Sequence, residues 1–334
     1  MKTGKEQLTA TEMGKLWATY VGNTLGKYVI SYYLQHVDDK DIKKVLEYAL
    51  GLSETYIEEI QAFFKQSNFP IPVGFTDDDV NLKAPRLFND EFYLHYLTYV
   101  GKAGMSIYSV AIPLVTRKDI RDFFINCLRD TAHLASIVTD TLKSKNSLMN
   151  TPVIPAPKRV EFVTNQNYLN SFWGDKRPLH MLEITHLYGC INNDVTSKAL
   201  IMGFSQGAKD EKVKKYLERG KNLNQKHIEM MSEKLTENNL PSPNLQDHLV
   251  TSSTVPPFSD KLMLYHKVDM FSMKVREYAN GASLDGRKDV GTLFGKMQMD
   301  SAIYVEDGAN IMIHNGEMEQ IPLAVNRDEL VSKS

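Results

Sequence analysis

Leu16, Tyr20, Tyr28, Val29 and Tyr32 form one stripe at three- and four-residue spacing, the mark of a helix face. Thr9-x-x-Glu12 ahead of it is a capping box and places the helix start. A second stripe follows Asp39, a good N-cap, through Ile42, Val45, Leu46, Ala49, Tyr56, Ile57, Ile60 and Phe64. Asn68-Phe69-Pro70-Ile71-Pro72 stops it, because proline has no amide hydrogen to continue the ladder. Phe92, Tyr93, Tyr96, Val100, Ala103 and Ile107 predict a third helix from Asn89 to about Pro113. The fourth opens near Arg117 and carries Ile120, Phe123, Phe124, Cys127, Leu128, Leu134, Ala135 and Val138. Four helices of about 25 residues, each about 38 Å long, make a long bundle.

The pattern is then written a second time. Residues 12–75 align with 183–246 without a gap, placing Glu12 on Glu183, Lys27 on Lys198, Asp39 on Asp210 and Glu58 on Glu229. Asn-x-Pro-x-Pro at 68–72 falls on 239–243. One deletion later the match resumes with Phe88 on Phe258, Asp90 on Asp260, Tyr108 on Tyr278, Arg117-Lys118-Asp119 on 287–289 and Asp130 on Asp300. The period is far beyond the 20–50 residues of solenoid repeats, so whole domains are duplicated.

Loop lengths set the topology. A few residues around Val37-Asp38 join helices one and two, which must therefore be antiparallel neighbours, and the same holds for three and four. Between two and three lie about 20 residues with Pro70, Pro72 and Pro85, enough to run the length of a bundle and make helix three parallel to helix two. The predicted organisation is all-α: one bundle over 1–148, a proline-bearing linker over 149–178 and a second bundle over 179–334. Val153, Ile154, Phe162, Phe172 and Trp173 in the linker suggest that it lies on a bundle surface. A duplicated domain is expected to reproduce the two-fold contact of a homodimer internally.

Composition narrows the function classes. Lys and Arg number 39 against 41 Asp and Glu in 334 residues, a formal net charge of −2, which argues against a nucleic-acid partner. No apolar run approaches the roughly 18 residues of a membrane span, and no apolar signal stretch opens the chain. Two cysteines, Cys127 and Cys190, make no disulfide framework and suit a reducing compartment, so a cytoplasmic protein is expected. Cys127 lies in the helix-four stripe and reads as core, and Cys190 has no His-Asp constellation near it. The tyrosines at 20, 28, 32, 33, 93, 96 and 99 read as bundle core with their hydroxyls at the rim.

Glu12/Glu183, Asp39/Asp210, Glu58/Glu229, the Asn-x-Pro-x-Pro break and the repeated Arg-Lys-Asp carry a resemblance covering both copies. The chain resembles an uncharacterised family of tandem ferritin-like proteins from endospore-forming bacteria, related to the spore coat protein F group. The resemblance implies two ferritin-like four-helix bundles and an association with the spore or its coat.

Ferritin-like carboxylate proteins hold two metals with single glutamates from two helices and Glu-x-x-His from the other two. Here Glu183-x-x-His186 opens the second copy, and with Glu229 it makes the candidate metal site, for Fe, Zn or Mn. The first copy has Glu12-x-x-Lys15, whose ammonium would repel a dication, and no Glu-x-x-His occurs in either fourth helix. No other cofactor is expected. His186, His227 and His266 have polar neighbours that suit solvated faces. Glu58 and Glu229 read as an ion pair or a cap on the crossover, Arg117-Lys118-Asp119 as a turn-closing salt bridge. Asp130 and Asp300 read either as bridges to Tyr108 and Tyr278 or as surface.

Both copies keep their packing stripes while the ligand positions diverge, Lys15 against His186 and Tyr56 against His227. That points to a non-enzymatic structural or interaction protein, with self-association or coat proteins as partners. Two alternatives are a metal-binding oxidase or store using the second copy alone, and a small-molecule carrier with an apolar cavity in one bundle.

Overall fold

A computed structural model describes residues 7–170, 176–284 and 286–328. Its long elements are helices α1 (Ala10–His36), α2 (Lys40–Gln66), α3 (Asp90–Ala111), α4 (Lys118–Ser144), α5 (Met181–Gly207), α6 (Glu211–Thr236), α7 (Asp260–Leu284) and α8 (Lys288–His314). They pack as two four-helix bundles, α1–α4 and α5–α8, each built from two antiparallel hairpins. No described helix is long and apolar enough to cross a membrane.

Three pairs of acidic residues shared by the copies, Glu12/Glu183, Asp39/Asp210 and Asp90/Asp260, sit at helix ends and bond backbone there. Asp39 and Asp210 cap α2 and α6 by accepting from the second and third amides of each helix. Asp90 accepts from the amides of Asp38 and Asp39, and Asp260 from those of Lys209 and Asp210, which fixes the start of the third helix beside the start of the second. Glu12 closes the capping box with Thr9 and also accepts from the Arg117 amide at 2.9 Å, tying α1 to the start of α4. Glu183 repeats this tie to the Arg287 amide at 2.8 Å. Arg117 pairs with Asp119 and Arg287 with Asp289, the predicted turn-closing salt bridges. Each hairpin's second helix ends on a left-handed residue, Asn68, Asn146, Asn239 or Gly316, and the next amide bonds back to a carbonyl five residues earlier. This is a Schellman stop, which asparagine and glycine accommodate at least cost.

The crossover runs back along α1. The Phe75 amide donates to Thr24 Oγ1, the Tyr32 hydroxyl donates to the Pro85 carbonyl, and Asp90 reaches Asp39. Helix three is therefore parallel to helix two, as the loop length predicts.

The two crossovers pair with each other. Val80 bridges Phe258 and Phe88 bridges Val250, both antiparallel. The amides of Asn81 and Ser259 donate to the carbonyls of Pro257 and Asp79, and those of Thr251 and Asn89 to Leu87 and Leu249. In the repeat, Val80 corresponds to Val250 and Phe88 to Phe258, so each bridge is the counterpart of the other. Tyr96 and His266, also matched positions, meet at 2.8 Å. The apolar core follows this contact: one cluster fills the first bundle and continues through Phe204, Phe258, Leu262 and Phe271 of the second, while the far half of the second bundle has a cluster of its own.

The linker departs from expectation. Val153 is 96% and Phe162 89% exposed, so these side chains are not laid on a bundle. Phe172 and Trp173 lie outside the described residues. What fixes the linker's end is polar: Arg177 stacks on Tyr168 and grips Glu183 with two bonds.

Candidate functional site

The residues predicted to hold a metal are engaged elsewhere. Glu183 is fully buried, but its carboxylate accepts from both terminal nitrogens of Arg177 and from the amides of His180 and Arg287. Burial would raise this carboxyl, yet those donors outweigh it and hold it below its ordinary value. His186 is half-buried, and burial lowers its imidazole. Glu229 is exposed and accepts from Gln225, and Glu58 is exposed too, so neither caps the crossover. Among the described residues no three His, Cys, Asp or Glu side chains gather as a metal site requires. The buried polar groups of the second bundle lie further along its helices, at mid-bundle.

There the second bundle buries two lysines. Lys274 Nζ lies 2.7 Å from Asp194 Oδ1, and the Tyr278 hydroxyl donates to Asp194 Oδ2 at 2.6 Å. Since Tyr278 spends its proton on Asp194, His227 Nδ1 at 3.2 Å is the donor to the phenol oxygen. Lys274 also bonds Asn224 Oδ1, Asn224 donates to Ser197 Oγ, and Lys267 donates to the same oxygen at 2.8 Å. Burial pushes both ammonium groups down, Lys267 furthest, and Asp194 opposes this most directly at Lys274.

His227 and His266 differ from the solvated faces expected of them. His227 is buried within this network, with Nε2 3.6 Å from Asp300, and His266 is buried against Tyr96. Asp130 and Asp300 take the surface alternative, paired with Arg129 and Lys226, and Tyr278 turns to Asp194 instead. Cys127 is core as predicted, and Cys190 is buried as well.

At the matching level the first bundle is open. Gly26 stands where the second has Ser197, Leu97 for Lys267, Gly104 for Lys274, and Asn23 for Asp194. A cavity of about 110 Å³ results, walled by Thr19, Asn23, Tyr56, Tyr96, Tyr99 and Tyr108 among others, with His266 and Asp269 reaching it from α7. Most of its lining comes from α1 and α3, which pack less closely than α5 and α7 do. Ala18 and Gly22 line it and are themselves exposed. The counterpart of Gly22 is Asn193, which donates to Glu277 and closes that seam in the second bundle.

A family model described as "Protein of unknown function (DUF3231)" matches residues 1–160 and again 168–330. The chain belongs to this family. The two matches correspond to the two copies, so one DUF3231 unit is one four-helix bundle. No curated protein matches the chain. Among solved structures, one described as a "putative spore coat protein" from Bacillus halodurans is similar with a TM-score of 0.41 and 16% identity, over 45% of this chain and 98% of that one.

Sequence reasoning about this DUF3231 protein missed the mid-bundle features. Lys267 and Lys274, seven apart on one face between Met270, Phe271 and Tyr278, are the signal for the buried network. Gly22, Gly26, Ala103 and Gly104, small residues on facing helices, are the signal for the cavity.

Proposed function

We propose that the chain is a non-enzymatic binding protein, an internal pseudo-two-fold pair of ferritin-like bundles whose first member carries a small molecule. The observation that supports it is the tyrosine-lined cavity of about 110 Å³ in the first bundle. A dry apolar cavity of about 150 Å³ admits benzene, so a ligand of about one ring matches the volume. The helix-end residues that both copies retain bond backbone or each other, which supports a structural rather than reactive use of what the duplication kept. The resemblance to tandem proteins of endospore formers supports a spore or coat setting.

Binding of a neutral one-ring probe tests this reading. Benzyl alcohol should raise the melting temperature of the full chain in a concentration-dependent way, as any ligand of the native state does. Ala103→Met, which imports the second bundle's Met273, should fill the space and remove that rise. A probe that leaves the melting temperature unchanged, or raises it equally in the filled variant, would rule the cavity out as the site.

A further inference from the structure

The walls of the cavity are uneven in charge, and the charged group comes from the other bundle. Asp269 of α7 lines it, and this carboxylate has no hydrogen-bond or ion-pair partner among the described residues. Neighbouring acids differ: Asp194 is paired with Lys274, Glu277 accepts from Asn193, and Asp300 is paired with Lys226. The cations closest in charge to Asp269 are turned elsewhere, Lys267 to Ser197 and Arg276 to the Met273 sulfur. Two further wall residues, Thr19 and Tyr99, carry buried hydroxyls without a partner. Unpaired buried polar groups of this kind are rare and call for an account.

We propose that the cavity takes a small primary amine with a one-ring apolar body, its ammonium held by Asp269. The assignment rests on the ligand-carrying reading above and adds the chemical class. An ammonium is a cation and a hydrogen-bond donor, which suits a carboxylate that has neither partner. Tyr56, Tyr96 and Tyr99 give the apolar remainder aromatic walls, and aromatic rings add attraction for a cation. A carboxylate ligand would meet Asp269 as a like charge. A wholly apolar one would cover Asp269 without giving it a partner. Burial pushes the Asp269 carboxyl up, and a ligand cation would restore its ionised form. Because Asp269 belongs to α7 while Tyr56 and Tyr99 belong to the first bundle, the site is complete only when both bundles are present.

Calorimetric titration of the full chain near neutral pH with benzylamine, benzyl alcohol and benzoate tests the assignment. Benzylamine should bind at least about tenfold tighter than the alcohol, the size of one charge-assisted hydrogen bond, and benzoate should not bind. Asp269→Asn should bring the amine down to the level of the alcohol while alcohol binding persists, which also reports that the variant's cavity is intact. Equal binding of amine and alcohol, or an amine preference that survives Asp269→Asn, overturns the amine assignment and leaves the carrier reading standing. Failure of all three probes in the unmodified chain overturns both.

Discussion

At one level of the two bundles, matched positions have gone opposite ways. The first has Gly26 and Gly104 lining a cavity, and the second has Ser197 and Lys274 bonded through Asn224, with Lys267 on the same Ser197 hydroxyl. At the helix ends, by contrast, Glu12 and Glu183, Asp39 and Asp210, and Asp90 and Asp260 do the same work in both copies. The fold is therefore carried by the ends and by the apolar stripes. The middle of each bundle has been free to become a ligand-sized void in one case and a charged brace in the other.

The largest test of that contrast is Lys274→Met. It leaves Asp194 buried without its cation and should cost about 3–5 kcal/mol in denaturant unfolding. Adding Asp194→Asn, the residue type at the matching Asn23, should recover part of the loss. A cost below about 1 kcal/mol would mean that the brace contributes little.

A smaller effect comes from the glycines that admit the stacked pair Tyr216 and Tyr304, whose rings lie 4.1 Å apart and whose hydroxyls donate to each other's carbonyls. A Cβ at Gly220 would lie 2.2 Å from the Tyr304 hydroxyl. Gly220→Ala should thus destabilise by about 1–3 kcal/mol through overpacking. The first bundle has Ala49 at that position, and no such pair to displace.

The smallest separates Tyr96 from His266. Burial, with Lys267 adding to it, pushes the His266 imidazole down to about 3. Between that value and the ordinary 6.5, the unfolded chain binds a proton that the folded chain does not, so stability rises with pH across the window. His266→Tyr should remove about 1 kcal/mol of the stability change between pH 6.5 and 5.5, read from unfolding at the two pH values. The Glu183 carboxyl acts in the same direction in a lower window: held low, its contribution is present above about 4.5 and is lost as pH falls further.

Most of the architecture was legible in the chain. Stripes, caps and the Asn-x-Pro-x-Pro breaks gave the eight helices, and loop length gave the parallel third helix. The centres were not legible, because a period of three and four reports which face is inward but not whether the inward residues meet. Lys274 reads as a surface break in a stripe until Asp194, on another helix, is placed 2.7 Å away. Glu183-x-x-His186 reads as a ligand pair until Arg177, from the linker, and Arg287, from α8, are seen to use the carboxylate. Asp269 could not be assigned to the first bundle's cavity at all without the contact between bundles.

That contact joins unlike residues at equivalent places. Tyr96 meets His266, and Phe258 packs on Tyr32 at 5.2 Å, while Phe88 presses against Gly203 with no room for even a methyl group. Each half is thus shaped to the other and not to a copy of itself: two first halves set face to face would bring Phe88 onto Tyr32, where Gly203 now leaves it room.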